Sequence, residues 1–231
     1  MAPDPTGKVL DVTILPLRDI VVFPSSVRPL TIWRGGPREV PALRPGERIA
    51  VFTQRDPTLE HPTLADLYPV GVLVEVVQTA DLPDAPHKLV VAHGLERVRA
   101  TAELEREPVL RARIEVLEEE GPRPDDADLV PTVESVRELA AQIIAASPFL
   151  SNELIEPLGR LDKPGPLSDF VAAILPSLKT PARQELLETL DQAKRLRRVH
   201  EELVREMESI RARMRIQETV ERKVGKAQHD F

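Results

Sequence analysis

Ser25 and Ser26 stand side by side in "VVFPSSVRPL". A serine hydroxyl is a nucleophile only where a base and an oxyanion donor surround it. Neither serine lies in a G-x-S-x-G frame, the turn that presents such a hydroxyl. His61, His87, His93, His200 and His229 offer imidazoles for metal binding or proton transfer. No two of them are four residues apart and none adjoins a carboxylate motif, so surface and hairpin roles account for them. "EVLEEE" followed by "PDDAD" gathers carboxylates between Glu115 and Asp128. It lacks the turn glycine and alternating acids of a calcium loop and reads as a solvated acidic face. "GKVLD" and "VGKAQ" contain Gly-Lys pairs without the preceding glycine or the following Ser or Thr of a phosphate loop. The chain therefore carries no legible active site, and the expectation is no catalytic residue, no metal and no cofactor.

Composition narrows the classes further. The 231 residues, 42% apolar and 30% charged, suit one or two globular domains with a substantial core. Cysteine is absent, which excludes a disulfide framework and thiolate metal sites. A net charge of -7 with 3% aromatic residues is a poor basis for tracking phosphates or stacking bases. "MAPDPTGK" lacks the basic, apolar and small-residue succession of a signal peptide. Runs such as "GVLVEVV" fall far short of the roughly 20 residues that cross a bilayer. A cytoplasmic protein without membrane partners is expected.

The elements that must position any site fall into distinct regions. Residues 8–120 are strand-like: "KVLDVTILPL", "RIAVFTQ", "VGVLVEVVQ", "HKLVVAHGL", "ERVRATAEL" and "VLRARIEVLEE" are Val-, Ile- and Leu-rich and bounded by Pro, Gly and Asp. In "RVRATAEL", Val98, Ala100, Ala102 and Leu104 alternate with Arg97, Arg99, Glu103 and Glu105 on a polar row. "TADLPDAPHK" reads as a hairpin loop. Pro16, Pro24 and Pro29 interrupt the first segments, as suits strand starts, edges and bulges. The pattern predicts a small, antiparallel, barrel-like sheet. An acidic, Pro-rich link follows at 121–131. Residues 132–179 read as a helical unit, with Thr132 opening "TVESVRELAAQIIAAS" and shorter helices at "SNELIEPLGRL" and "PLSDFVAAILPSL". From Thr180 to about Gln228 a single long helix is predicted, with Pro181 at its first turn. Its apolar seam runs through Leu196, Val199, Leu203, Met207, Ile210 and Met214.

Taken in order, these motifs resemble the amino-terminal domain of the Lon family of ATP-dependent proteases. "ILPLRDIVVFPSSVRPL" is similar to the family's opening strands. "DLYPVGVLVEVVQTADLPDAPHKLVVAHGLERVRA" resembles its second block, with a Tyr-x-x-Gly at its start and Gly-Leu-Glu-Arg near its end. "LSDFVAAIL" and the long helical tract from "RQELLETL" onward resemble the helical subdomain and the helix leading toward the ATPase. Two departures stand out. "WRGGPREVPALRPGER" carries Pro37, Pro41 and Pro45 where the family usually has a helix, and Ser25 and Ser26 replace a glycine-containing turn.

The resemblance implies an α+β fold, with a PUA-like β-barrel followed by a helical bundle and one long C-terminal helix. It implies a substrate-recognition and oligomerisation domain in protein quality control, binding unfolded or apolar-rich polypeptide and doing no chemistry itself. ATP, Mg²⁺, hexamer assembly and a Ser-Lys protease would belong to a longer parent, an expectation reinforced by a helix that runs to Phe231 without a stop signal. Candidate substrate contacts are Phe23, Val27, Leu30, Ile32, Trp33, Met207 and Met214. Candidate oligomerisation residues are Leu196, Val199, Leu203 and Ile210. The alternatives are a free-standing adaptor or ligand-binding protein of the same fold, and RNA binding through the basic run Arg195, Arg197 and Arg198. The acidic charge weighs against RNA.

Overall fold

The computed structural model describes the backbone of residues 8–33, 42–81 and 87–229, with side chains except at 33, 87 and 221–229. The stretches 34–41 and 82–86, which include Pro37, Pro41 and the tip of the "TADLPDAPHK" hairpin, lie outside the described residues.

Six strands form one sheet: β1 (Val9–Leu17), β2 (Val27–Trp33), β3 (Arg48–Thr53), β4 (Val70–Asp81), β5 (His87–Glu105) and β6 (Arg111–Val116). Their order is β2-β5-β4-β3-β1-β6, and an added β5–β6 pairing closes all but β2 into a barrel. β5 allows this because it is 19 residues long. Its first half lies between β2 and β4, and its second half between β4 and β6. The pairs are antiparallel except β1–β3, which is parallel. That corrects the all-antiparallel expectation: the chain between these strands makes a crossover that includes β2, and no tight hairpin joins them.

Both faces of β3 and of the first half of β4 are buried, each by alternate residues. Ile14, Ala50, Phe52, Leu73, Val98, Ala112 and Ile114 fill the barrel. Ile49, Val51, Val72, Val74 and Val76 face the other way, into a second core shared with the helices. Gly71 permits the close contact at the centre, since a Cβ there would lie 2.4 Å from Val51 O and 2.7 Å from the Phe52 ring.

The prolines fit this ladder. Leu17 O accepts from Gln54 N, whereas Ile14 N donates to Leu110 O on the opposite side. By alternation Pro16 faces that second side, beyond the β1–β6 register, where no donor is needed. Pro24 opens a turn in which Ser26 N donates to Phe23 O at 3.3 Å and Ser25 takes a left-handed φ of 60°.

The helices are α1 (Leu129–Ala146), α2 (Ile155–Gly159), α3 (Pro164–Ile174), α4 (Thr180–Glu188) and α5 (Gln192–His229). α1 begins before Thr132, because Pro131 sits in the first turn, where its missing N–H is not needed. The Thr132 hydroxyl instead donates back to Asp128 O. α1 and α3 pack on α5 through Val136, Ile143, Val171, Leu196, Val199 and Leu203.

The predicted single helix from Thr180 is in fact two. Thr189 adopts an extended backbone. Asp191 then pairs with Glu120, through Glu120 N to Leu190 O and Gln192 N to Glu120 O, both 3.0 Å. Asp191 Oδ1 accepts from Lys194 N at 2.9 Å and starts α5 as a new helix. A bridge to a segment more than seventy residues away outbids local helical propensity, which no proline or glycine signals.

Candidate functional site

The groups that might have done chemistry are dispersed. Ser26 Oγ donates to Phe23 O at 2.6 Å, within its own turn. His200 Nε2 and Ser135 Oγ, 2.9 Å apart, join α5 to α1. Among the described residues no cluster of His, Cys, Asp and Glu could hold a metal ion.

What the fold builds with care is a charged junction between barrel and helices. Arg97, placed by its alternation on an outer polar row, is instead fully buried, as is Arg195 on α5. Arg97 grips Asp169 of α3 with two N–H groups, at 2.9 Å and 2.6 Å, and its Nε donates to Leu187 O. Arg195 Nε donates to Ser168 Oγ at 3.0 Å and lies 3.1 Å from Asp169 Oδ1. Glu119 Oε1 accepts from both, at 3.0 Å from Arg97 Nη1 and 2.5 Å from Arg195 Nη2. Two guanidiniums and two carboxylates cancel, which is what a desolvated site requires. Burial nevertheless pushes the Arg195 pKa down, against the pull of Asp169.

The remaining basic run is neutralised as well. Arg197 donates to Asp128 and Asp126, which raise its pKa while theirs are lowered. Arg198 meets Glu201 and Glu202. No cationic face survives there for nucleic acid.

The predicted substrate contacts part company. Phe23, Leu30 and Ile32 are buried in the core, and Met207 is buried at its edge. Val27 is 59% exposed and Met214 51% exposed. The Trp33 side chain lies outside the described residues. Among the predicted oligomerisation residues, Leu196, Val199 and Leu203 are fully buried against α1 and α3, and Ile210 is half-buried where that contact ends. From Arg211 to Val220 every side chain is exposed. Sequence reasoning missed Phe149, 86% exposed in the loop after α1. Its signal was a lone aromatic in the polar, proline-marked stretch "SPFLSN".

Val27 belongs to a sheet edge that no strand among the described residues covers. β2 ends the sheet order. Since Gly94 N donates to Ser26 O at 2.8 Å, even-numbered residues face β5, and Val27, Pro29 and Thr31 turn their backbone groups outward. Pro29 removes one outward donor, a common guard against uncontrolled edge pairing. The turn preceding β2 is clamped by Gly94, where a Cβ would meet Phe23 O at 2.2 Å.

Comparison with known proteins follows this architecture closely. The sequence pattern of the ATP-dependent protease La (LON) substrate-binding domain matches residues 11–205. Lon protease of Koribacter versatilis is 35% identical over 229 residues, which is 99% of this chain and 28% of that protein. Lon protease of Desulfovibrio desulfuricans is 34% identical, over 94% of this chain and 25% of its own length. The chain thus spans only about a quarter of these relatives. The solved N-terminal domain of a Mycobacterium avium complex Lon protease superposes with a TM-score of 0.64 at 21% identity, covering 84% of this chain and 98% of that one. A Lon N-terminal domain protein from Xanthomonas campestris gives 0.51 at 16% identity, over 82% of this chain and 96% of its own. The barrel, the helical layer and the long α5 are therefore those of Lon N-terminal domains, and the chain belongs to the Lon substrate-binding domain family.

Proposed function

We propose that this domain engages unfolded or apolar-rich polypeptide on behalf of a Lon-type ATP-dependent protease and performs no bond-breaking itself. The observation that carries this reading is the family match across residues 11–205. An open β2 edge beside exposed Val27, and exposed Phe149, add apolar surface without a partner in the described chain. Such surfaces suit sequence-tolerant contact with extended chains, where backbone pairing supplies affinity and side chains supply preference. ATP and Mg²⁺ use, peptide cleavage and hexamer assembly belong to a parent protein of the relatives' length. The cytoplasm is the compartment that fits the absence of cysteine. No helix among the described residues is long and apolar enough to cross a membrane.

The test is fluorescence anisotropy with a permanently unfolded, labelled polypeptide and its folded counterpart. Selective binding of the unfolded form, weakened several-fold by Val27→Glu or Phe149→Glu, is the expected result. Equal binding of both forms, or none of either, refutes the reading.

A further inference from the structure

Two half-buried arginines converge where β2 passes the C-terminal end of α3. Arg28 Nη2 donates to Ala173 O at 2.6 Å, and Arg183 Nη2 donates to Leu175 O at 2.9 Å. Both carbonyls belong to the end of a helix, where acceptors lack intrahelical donors. Capping that end uses a single N–H on each guanidinium, and each has five.

The surroundings do not otherwise satisfy the pair. Arg97, Arg113, Arg195 and Arg197 all hold carboxylates. Arg28 and Arg183 hold none among the described residues, although the chain has 38 acidic residues against 31 Lys and Arg. Arg183 Nε is buried without an acceptor. Burial, and after it the nearby Arg28 charge, lower the Arg183 pKa. Two half-buried guanidiniums with donors to spare and no carboxylate beside them among the described residues attract an anion.

The setting indicates which anion. Arg28 lies on β2, whose even-numbered side chains face the helices and whose outer edge no strand among the described residues covers. An extended chain pairing with that edge would place alternate side chains beside Arg28, and its other side chains beside exposed Val27 and Thr31. We infer that Arg28 and Arg183 form a carboxylate-reading site for an extended polypeptide on the β2 edge, taking an Asp or Glu side chain or a C-terminal carboxylate flanked by apolar residues. The planar fork of a guanidinium suits a carboxylate bidentately, and two forks favour it over a neutral amide. This rests on the polypeptide-binding reading above and gives it a chemical preference.

Two labelled, disordered peptides with the same apolar residues decide the matter, one carrying Glu at alternate positions and the other Gln. Anisotropy titrations at low salt should show the Glu peptide binding about tenfold more tightly. That advantage should shrink as ionic strength rises. Arg28→Gln/Arg183→Gln should erase the advantage while leaving the Gln peptide's affinity unchanged. Arg183→Lys keeps the charge and a capping donor but loses the fork, and should retain only part of the advantage. Equal affinities of the two peptides for the unaltered protein overturn the carboxylate site and leave the general reading standing. An advantage that persists in a folded double variant overturns it too. Failure of both peptides to bind removes both readings.

Discussion

At Gly94 and Ser25 the backbone itself sets the residue requirement. Gly94 lets the turn carrying Phe23 approach β5, and Gly94→Ala places a Cβ 2.2 Å from Phe23 O. Backbone cannot yield as a flexible side chain would, so a loss of about 1–3 kcal/mol is expected in urea denaturation. Gly159 is the control, since a Cβ there meets nothing within 4 Å. Gly159→Ala should leave stability unchanged or raise it by up to about 1 kcal/mol. Ser25, at φ 60°, occupies a conformation better suited to glycine. The same residue-by-residue logic explains Arg97: alternation put it on a polar row, and its neighbour Asp169 took it inside. Asp169→Ala leaves two buried guanidiniums short of a counter-charge and should cost about 3–5 kcal/mol, read from the denaturation midpoint.

Helices α1 and α5 are tied together at the end where Arg197 spans Asp126 and Asp128. Both carboxyl groups are held below their ordinary pKa, with the Arg197 hydrogen bond the largest cause. A lowered folded-state pKa means stabilisation that is complete above the ordinary carboxylate value and lost as pH falls through the lowered one. Thermal midpoints of the unaltered protein should therefore decline below about pH 4, and Asp128→Asn should flatten part of that decline. An identical acid profile in the variant would show that the pair does not couple to folding. At this scale the break between α4 and α5 also becomes intelligible. Leu190 and Asp191 give up helical geometry for a bridge to Glu120, which anchors the acidic linker beneath the charged junction.

Viewed whole, the molecule is a barrel and a helical layer sharing one core, from which α5 continues. Its 38 residues extend about 57 Å at the usual rise. The seam is covered as far as Met207, and beyond Ile210 the apolar side chains Met214, Ile216 and Val220 are exposed. If assembly uses α5, this outer segment must carry it, because Leu196, Val199 and Leu203 are occupied within the chain. Sedimentation velocity should then show self-association that Met214→Asp/Ile216→Asp reduces without changing the fold. Unchanged association would place the contact elsewhere.

Strand and helix regions, the apolar row that fills the barrel and the family resemblance were legible in the sequence, since periodicity and proline placement are local properties of the chain. The seam on α5 was legible too, as a stripe, but not what covers it. Whether Leu203 meets α1 or another copy depends on where α1 lies, and no local pattern carries that information. Long-range pairing also decided the parallel β1–β3 contact and the helix break at Asp191. Arg28 and Arg183 are 155 positions apart, and each alone is an ordinary surface cation. Folding β2 and α4 onto the end of α3 brings the two together, and that proximity gives them a chemistry neither has alone.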